Sequence, residues 1–266
     1  MGIGIAGAAG RMGRMLLRAV SETPGCRISA GLVIPDDPAV DGDLGLIAGL
    51  TPLGIRTTTD SGELFKVSDL VIDFTSPAAS LEHAKRAASL GKRLVIGTTG
   101  MTPEQRAGVE TAAGQTPILL ASNTSQGVTL LLNLVRQVAT ALDLSYDIEI
   151  VEMHHRMKVD APSGTALSLG EAAAEGRGRP LEELWVKVRD GQTGPREAGT
   201  IGFATLRGGD VTGEHRVIFA GPGERIELTH KAHSREVFAH GAVRAALWLA
   251  DKPAGLYDMR AVLGFK

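Results

Sequence analysis

Residues 152–166 read Glu-Met-His-His-Arg-Met-Lys-Val-Asp-Ala-Pro-Ser-Gly-Thr-Ala, and the potential cations His154, His155, Arg156 and Lys158 all fall within 154–158. Two unit charges about 4 Å apart repel by roughly 4 kcal/mol at an effective dielectric near 20. A fold that gathers such charges needs an offset, and an anionic ligand such as a dicarboxylate supplies one. Two other readings stay open: the run is a solvated loop, or Glu152 neutralises Lys158 or Arg156 as an ion pair. Metal binding is not expected. Adjacent histidines on a strand point to opposite faces, no carboxylate pair has ligand spacing, and Cys26 is the only cysteine. If a strand runs through this segment, His154 and Arg156 share a face and His155 faces away. Pro162 and Gly164 cannot extend a central strand. Ser163 then caps a helix through Leu167 toward Ala174. The backbone N–H groups of Gly164 and Thr165 would open it, and a helix start of that kind receives a carboxylate or phosphate. Lys158 adds a point charge and a source of protons.

A second constellation lies at the start of the chain. Gly7, Gly10 and Gly13 stand between an apolar run, 2–6, and a helical run that reaches about Ser21. Glycines in a strand–turn–helix allow the tight turn, close approach to a pyrophosphate and close helix–strand packing. The spacing is GxxGxxG rather than the commoner GxGxxG. An acid that would bind ribose is expected about 20 residues on, at the end of the second strand. Val33 and Ile34 stand there instead, with Asp36 and Asp37 the nearest acids. No Arg stands at that strand end, although Arg11 and Arg14 lie on the loop and early helix. The cofactor is thus NADH or NADPH. Without the acid, one repulsion against a 2′-phosphate is gone, which tilts the expectation toward NADPH. Gly97-Thr98-Thr99-Gly100 and Ala121-Ser122-Asn123-Thr124 follow further apolar runs, where small residues and hydroxyls suit a nicotinamide and its ribose or serve as ordinary turns.

The elements that must position these residues are legible from periodicity. Apolar runs at 26–33, 70–74, 94–96 and 118–121 alternate with helical patterns at 77–90 and 103–113, with Thr102 as a candidate N-cap. This strand–helix alternation marks a doubly wound parallel sheet. The stretch 35–62, rich in Pro, Asp and Gly, reads as loop. After about Ser125 the pattern changes: a long apolar helix at 128–142, an alternating strand at 146–152, and strands at 201–206, 215–220 and 225–230. The last long element is an amphipathic helix at 237–250. The expected architecture is α/β: a Rossmann-like domain from 1–125 and 236–266, and a second, mixed α/β domain from 126–235. The 266 residues are 43% apolar and 22% charged with net charge −2, so neither nucleic acid nor membrane is an expected partner. No apolar leader or membrane span is read, and a cytoplasmic location is the default expectation.

The segment Glu152–Ala166 resembles the central motif E-x-H-H-x-x-K-x-D-A-P-S-G-T-A of the dihydrodipicolinate reductase family of bacterial lysine biosynthesis. Gly7–Gly13 is similar to that family's G-x-x-G-R-M-G. Asp73-Phe74-Thr75, 97–100, 121–127, 199–203, 213–215 and 229–232 match as well, and the likeness runs from Ile3 to about Leu263. It implies NAD(P)H-dependent reduction of 4-hydroxy-tetrahydrodipicolinate (dihydrodipicolinate) to tetrahydrodipicolinate by a homotetramer, whose second domain binds substrate and builds the assembly. By motif, His154 is the proton donor and acceptor and Lys158 the second donor. His155, Gly164 and Thr165 contact substrate. Gly7, Ala8, Ala9, Gly10, Arg11 and Met12 hold the pyrophosphate. Gly97, Thr98, Thr99 and Ala121, Ser122, Asn123, Thr124 line the nicotinamide side. The departure is at Val33-Ile34, where many members carry an acid often followed by Arg. Two rivals stand beside this reading: another Rossmann reductase of small acids, and a cofactor-sensing regulatory protein with a dead site. The run from Lys158 to Thr165 opposes the first, and the intact His154/Lys158 pair the second.

Overall fold

The computed structural model describes residues 1–265. Along the chain come β1 (Gly2–Ala6), α1 (Arg11–Glu22), β2 (Arg27–Leu32), α2 (Leu44–Ala48), β3 (Thr57–Thr58), α3 (Ser61–Val67), β4 (Leu70–Asp73), α4 (Pro77–Leu90), β5 (Arg93–Ile96), α5 (Pro103–Ala113) and β6 (Pro117–Leu120). Next are α6 (Gln126–Ala141), β7 (Asp147–His154), α7 (Gly164–Gly176), α8 (Leu181–Leu184), β8 (Trp185–Val186), β9 (Ile201–Arg207), β10 (Gly213–Gly221) and β11 (Glu224–Ala232). The last are α9 (Glu236–Leu249), β12 (Gly255–Tyr257) and α10 (Met259–Val262). Two compact units result, Met1–Gln126 with Arg235–Lys266, and Gly127–Ser234.

The first unit carries a seven-stranded sheet in the order β12-β6-β5-β4-β1-β2-β3, and each pairing is parallel. β1 and β4 are buried at every position, as strands covered on both faces must be. The chain leaves β1 toward β2 on one side and later returns to β4 on the other. Parallel sheets of this kind bind ligands beyond their carboxyl ends at such a switch point. The loops after β1, β4, β5 and β6 all open on that edge. Ile3, Ile5 and Ile72 share one apolar core with Leu16, Leu17 and Val20 of α1 and Ala242, Ala246 and Leu249 of α9. α5 begins as its sequence predicts, with a capping box in which Thr102 and Gln105 bond reciprocally.

The stretch 35–62 is more regular than its composition suggests. Asp43 caps α2, and its carboxylate also accepts from the backbone of Leu53 and Gly54 at 3.1 and 2.7 Å. One side chain thus gathers a turn that no periodicity announces.

The second unit holds a five-stranded mixed sheet, β11-β10-β7-β9-β8. β7 runs antiparallel to β10 and parallel to β9. Its alternation buries Ile148, Ile150, Glu152 and His154 on one face. The periodicity that packs two isoleucines into the core beside Val217, Phe219 and Leu169 therefore carries a carboxylate and an imidazole to the strand's end. No helix among the described residues is long and apolar enough to cross a membrane.

Candidate functional site

In the first unit, β1 delivers the chain into Gly7, which takes φ +76°, a conformation that favours glycine. The N–H groups of Gly7 and Ala8 both donate to the Leu32 carbonyl at 2.9 Å, tying the turn to the end of β2. Gly10 is the N-cap of α1 and offers no side chain to its free N–H groups. An anion is their natural partner, and no acid stands in the helix's first turn to oppose one. A Cβ on Gly13 would stand 2.1 Å from the Gly7 carbonyl oxygen, so this close packing of helix on turn admits only glycine. The cradle fits a pyrophosphate, with Ala8, Ala9, Arg11 and Met12 completing the loop.

The loop after β6 sits beside a cavity of about 190 Å³ lined by Met12, Phe74, Ser122, Asn123, Thr124 and Phe238. Thr124 Oγ1 donates to the Phe238 carbonyl at 2.6 Å, which binds the start of α9 to this loop. Gly97, Thr98 and Thr99 do not line that cavity. Thr98 is buried and its hydroxyl accepts from Ser80 at 2.7 Å. Phe74 and Phe238 were not predicted as lining residues. Phe74 had a signal, since it follows β4 at the ligand-binding edge. Phe238 had none, because the fold brings it from more than a hundred residues away.

Behind Phe74, buried Asp73 bonds the Thr75 hydroxyl at 2.6 Å and the His83 ring at 2.8 Å. At the end of β2, Val33 is buried and Ile34 is 69% exposed. Asp37 spends its carboxylate on the Ala39 N–H, so of the two substitute acids it is already engaged.

In the second unit, β7 ends at His154. The strand does not persist to Arg156: Arg156 N–H donates to the Gly209 carbonyl and Lys158 N–H to the His155 carbonyl, which turns the chain away from the sheet. His154 and Arg156 therefore do not share a strand face. His154 Nδ1 meets Glu152 Oε2 at 2.5 Å. Arg207 of β9 donates to both Glu152 oxygens, at 2.8 and 2.9 Å, and Ser163 N–H donates to Oε1 at 3.0 Å. Burial pushes the Glu152 carboxyl up, but the bonds from His154 and Arg207 outweigh it and bring it down to about 2.

The cation beside Glu152 is thus Arg207, not Lys158 or Arg156. Lys158 instead grips both oxygens of Asp160 at 2.9 Å, and that bond chiefly holds Asp160 below the usual carboxylate range. Arg207 also donates to the Asp160 carbonyl at 2.6 Å, so one network runs from Lys158 to His154. The crowded charge is offset first by two carboxylates of the segment itself. Sequence reasoning missed Arg207, since it lies 55 residues from Glu152 and enters by strand pairing.

Ser163 caps α7 as predicted, its Oγ accepting from Ala166 N–H at 3.2 Å. Apart from its chain neighbours and its own helix backbone, no atom lies within 4 Å of the place a Gly164 side chain would take, so the helix start is open at Gly164. The peptide Ala161–Pro162 just before it is cis. His215 of β10 meets Ser163 Oγ through Nε2 at 3.0 Å and stacks edge-on against His154 at 5.1 Å. Among the described residues, no group of three or more His, Cys, Asp or Glu could hold a metal ion.

Two family models match the chain in succession: dihydrodipicolinate reductase, N-terminus, over residues 1–124, and dihydrodipicolinate reductase, C-terminus, over 127–263. The chain belongs to the dihydrodipicolinate reductase family. It is 53% identical to the 4-hydroxy-tetrahydrodipicolinate reductase of Rhodopseudomonas palustris (strain BisB18), over 98% of this chain and 96% of that one. It is 49% identical to the enzyme of the same name from Cupriavidus metallidurans, over 100% of both chains. A dipicolinate-bound dihydrodipicolinate reductase from Paenisporosarcina sp. TG-14 shares the fold, with TM-score 0.78 and 24% identity over 96% of each chain. As a dihydrodipicolinate reductase family member, the protein is an oxidoreductase that uses a nicotinamide cofactor, and its glycine cradle lies in the N-terminal family segment.

Burial is the main reason the His215 ring is driven from 6.5 to about 4, with the nearby His154 adding to it. Above about pH 6.5 neither folded nor unfolded chain protonates it. Between the two values only the unfolded chain does, so stability falls as pH drops through that window, by about 1.4 kcal/mol per unit. Glu152 adds slope only at the foot of that window, near and below the ordinary value of 4.5, and does so equally in a His215 variant. Denaturant unfolding at pH 7 and pH 4.5 should show His215→Gln losing less stability than the parent chain. Equal losses would remove His215 as the source.

Proposed function

We propose that this chain reduces 4-hydroxy-tetrahydrodipicolinate to tetrahydrodipicolinate, with NADPH preferred over NADH. The observation that carries the reaction is a buried histidine, held by an ionised carboxylate, in one bonded cluster with the cap of an open helix N-terminus. The reduced nicotinamide supplies a hydride when bound. Loss of the 4-hydroxyl as water gives the conjugated dihydrodipicolinate ring, and hydride addition to that ring leaves electron density that must take up a proton. His154 delivers it by general acid catalysis, and Lys158 is the second donor. Gly164 and Thr165 at the start of α7 receive a substrate carboxylate, and His155 also contacts substrate. Gly7–Met12 hold the pyrophosphate, and Gly97–Thr99 with Ala121–Thr124 border the nicotinamide.

Two features support the cofactor preference. No carboxylate stands at Val33 or Ile34 to repel a 2′-phosphate, and Arg11 is exposed on the glycine loop. Parallel spectrophotometric assays with the two cofactors test both levels. Turnover with a higher kcat/KM for NADPH is expected. A strong NADH preference overturns the cofactor reading, and absence of turnover with either overturns the reaction. The second unit serves as the substrate and assembly domain of a cytoplasmic homotetramer on this reading. A monomer mass by light scattering would remove the assembly.

A further inference from the structure

We propose that Glu152 is the positioning residue that joins the proton donor to the carboxylate-binding turn: Oε2 fixes the His154 ring, Oε1 fixes the cap of α7, and Arg207 holds the carboxylate between them. This rests on the reading of His154 as proton donor. Glu152 is only 1% exposed. A buried carboxylate costs several kcal/mol unless it is paired and hydrogen-bonded, so its retention needs a reason. Here all its bonds go to parts of the site. Oε2 takes His154 Nδ1 and Arg207 Nη1, while Oε1 takes Ser163 N–H and Arg207 Nη2. Glu152 and His154 are two apart on β7 and share its buried face. Ser163 is the N-cap, so its placement sets where the Gly164 and Thr165 N–H groups point.

Two consequences follow from the geometry. An ionised carboxylate only accepts, so Nδ1 must carry a hydrogen and Nε2 is the atom that gives or takes the reacting proton. The surroundings agree. A Cβ on Gly213 would stand 3.0 Å from Nε2, and glycine keeps that approach clear. The second consequence is electrostatic. Glu152 sets a carboxylate against the His154 ring, and Arg207 sets a guanidinium against that carboxylate. The other charged or titratable groups of this neighbourhood are His215 on β10, His230 beyond it on β11, and His155, Lys158 and Asp160 on the loop after β7. Burial keeps His215 neutral near neutral pH. His215 touches both His154 and Ser163 as a neutral ring, whereas Glu152 does so as an ionised group.

The test uses full-length Glu152→Gln and Arg207→Gln variants. Glu152→Gln should lower kcat by about 10²–10⁴-fold and move the basic limb of the kcat–pH profile to lower pH. Arg207→Gln should move that limb to higher pH, because the imidazolium then keeps its counter-charge and loses a competing cation. A purely structural role predicts no such opposed shifts. In parallel, ¹⁵N-edited NMR of the ligand-free protein should show neutral His154 as the Nδ1–H tautomer, with that preference weakened in Glu152→Gln. Limbs that move together or not at all, or an Nε2–H tautomer in the parent chain, overturn the proposal. If the parent chain does not turn over the substrate, the functional reading has failed, while the NMR arm still decides the role of Glu152. If Glu152→Gln does not fold, the upward shift in Arg207→Gln and the parent tautomer carry the test.

Discussion

Replacing His154 by Gln should lower kcat by about 10²–10⁴-fold while KM changes only a few-fold. Gln retains a planar polar side chain of similar reach and can still donate to Glu152 Oε2, so the β7 end and the cap of α7 stay in place. What it lacks is a proton to release. The loss therefore falls on the transition state rather than on substrate binding, the pattern expected of a general acid. Because His154 is 9% exposed and tied to Glu152 at 2.5 Å, water does not readily replace it as donor. Near-normal kcat in this variant, measured at saturating cofactor, would remove His154 from the chemistry. A large rise in KM with kcat preserved would make it a binding residue instead.

Lys158→Ala should likewise cut turnover by about 10²–10⁴-fold if Lys158 is the second proton donor, with little change in thermal stability. The asymmetry comes from its environment. Its ammonium group pairs with Asp160, whose side chain is 57% exposed, and such pairs contribute about 0–1 kcal/mol. The pair is thus weak enough to yield when a substrate carboxylate arrives, and losing it costs the fold little. A variant that keeps its turnover overturns the assignment. A variant with a strongly lowered Tm would place Lys158 in the scaffold, and Asp160→Ala provides the control. It removes the same ion pair but leaves the ammonium, so it should retain most of the turnover.

Much of this site is legible in the sequence, and the reasons are local. Gly7, Gly10 and Gly13 are recognisable because a tight turn between a strand and a helix tolerates few residue types. Ser163 is recognisable because a hydroxyl before a helical run satisfies that helix's own N–H groups. The motif from Glu152 to Ala166 carried the family likeness and, with it, the roles proposed for His154 and Lys158. Loss of the acid at Val33 was visible in the same way, as one residue type at a position set by counting.

What escaped the sequence is what arrives from far along the chain. Arg207 reaches Glu152 because β9 lies parallel to β7, and His215 reaches His154 because β10 lies antiparallel to it. Phe238 enters the cavity beside Met12 because α9 folds into the first unit. Strand register and helix docking are properties of the whole core, and no window of neighbouring residues encodes them. The sequence by itself determined the parallel-sheet class, the glycine cradle and the histidine–lysine segment, since these depend on short-range periodicity and residue type. Only the tertiary structure decided which partner neutralises Glu152, which nitrogen of His154 meets that carboxylate, and where the strand stops. A buried carboxylate must be paired, but which cation pairs with it depends on which strand lies alongside.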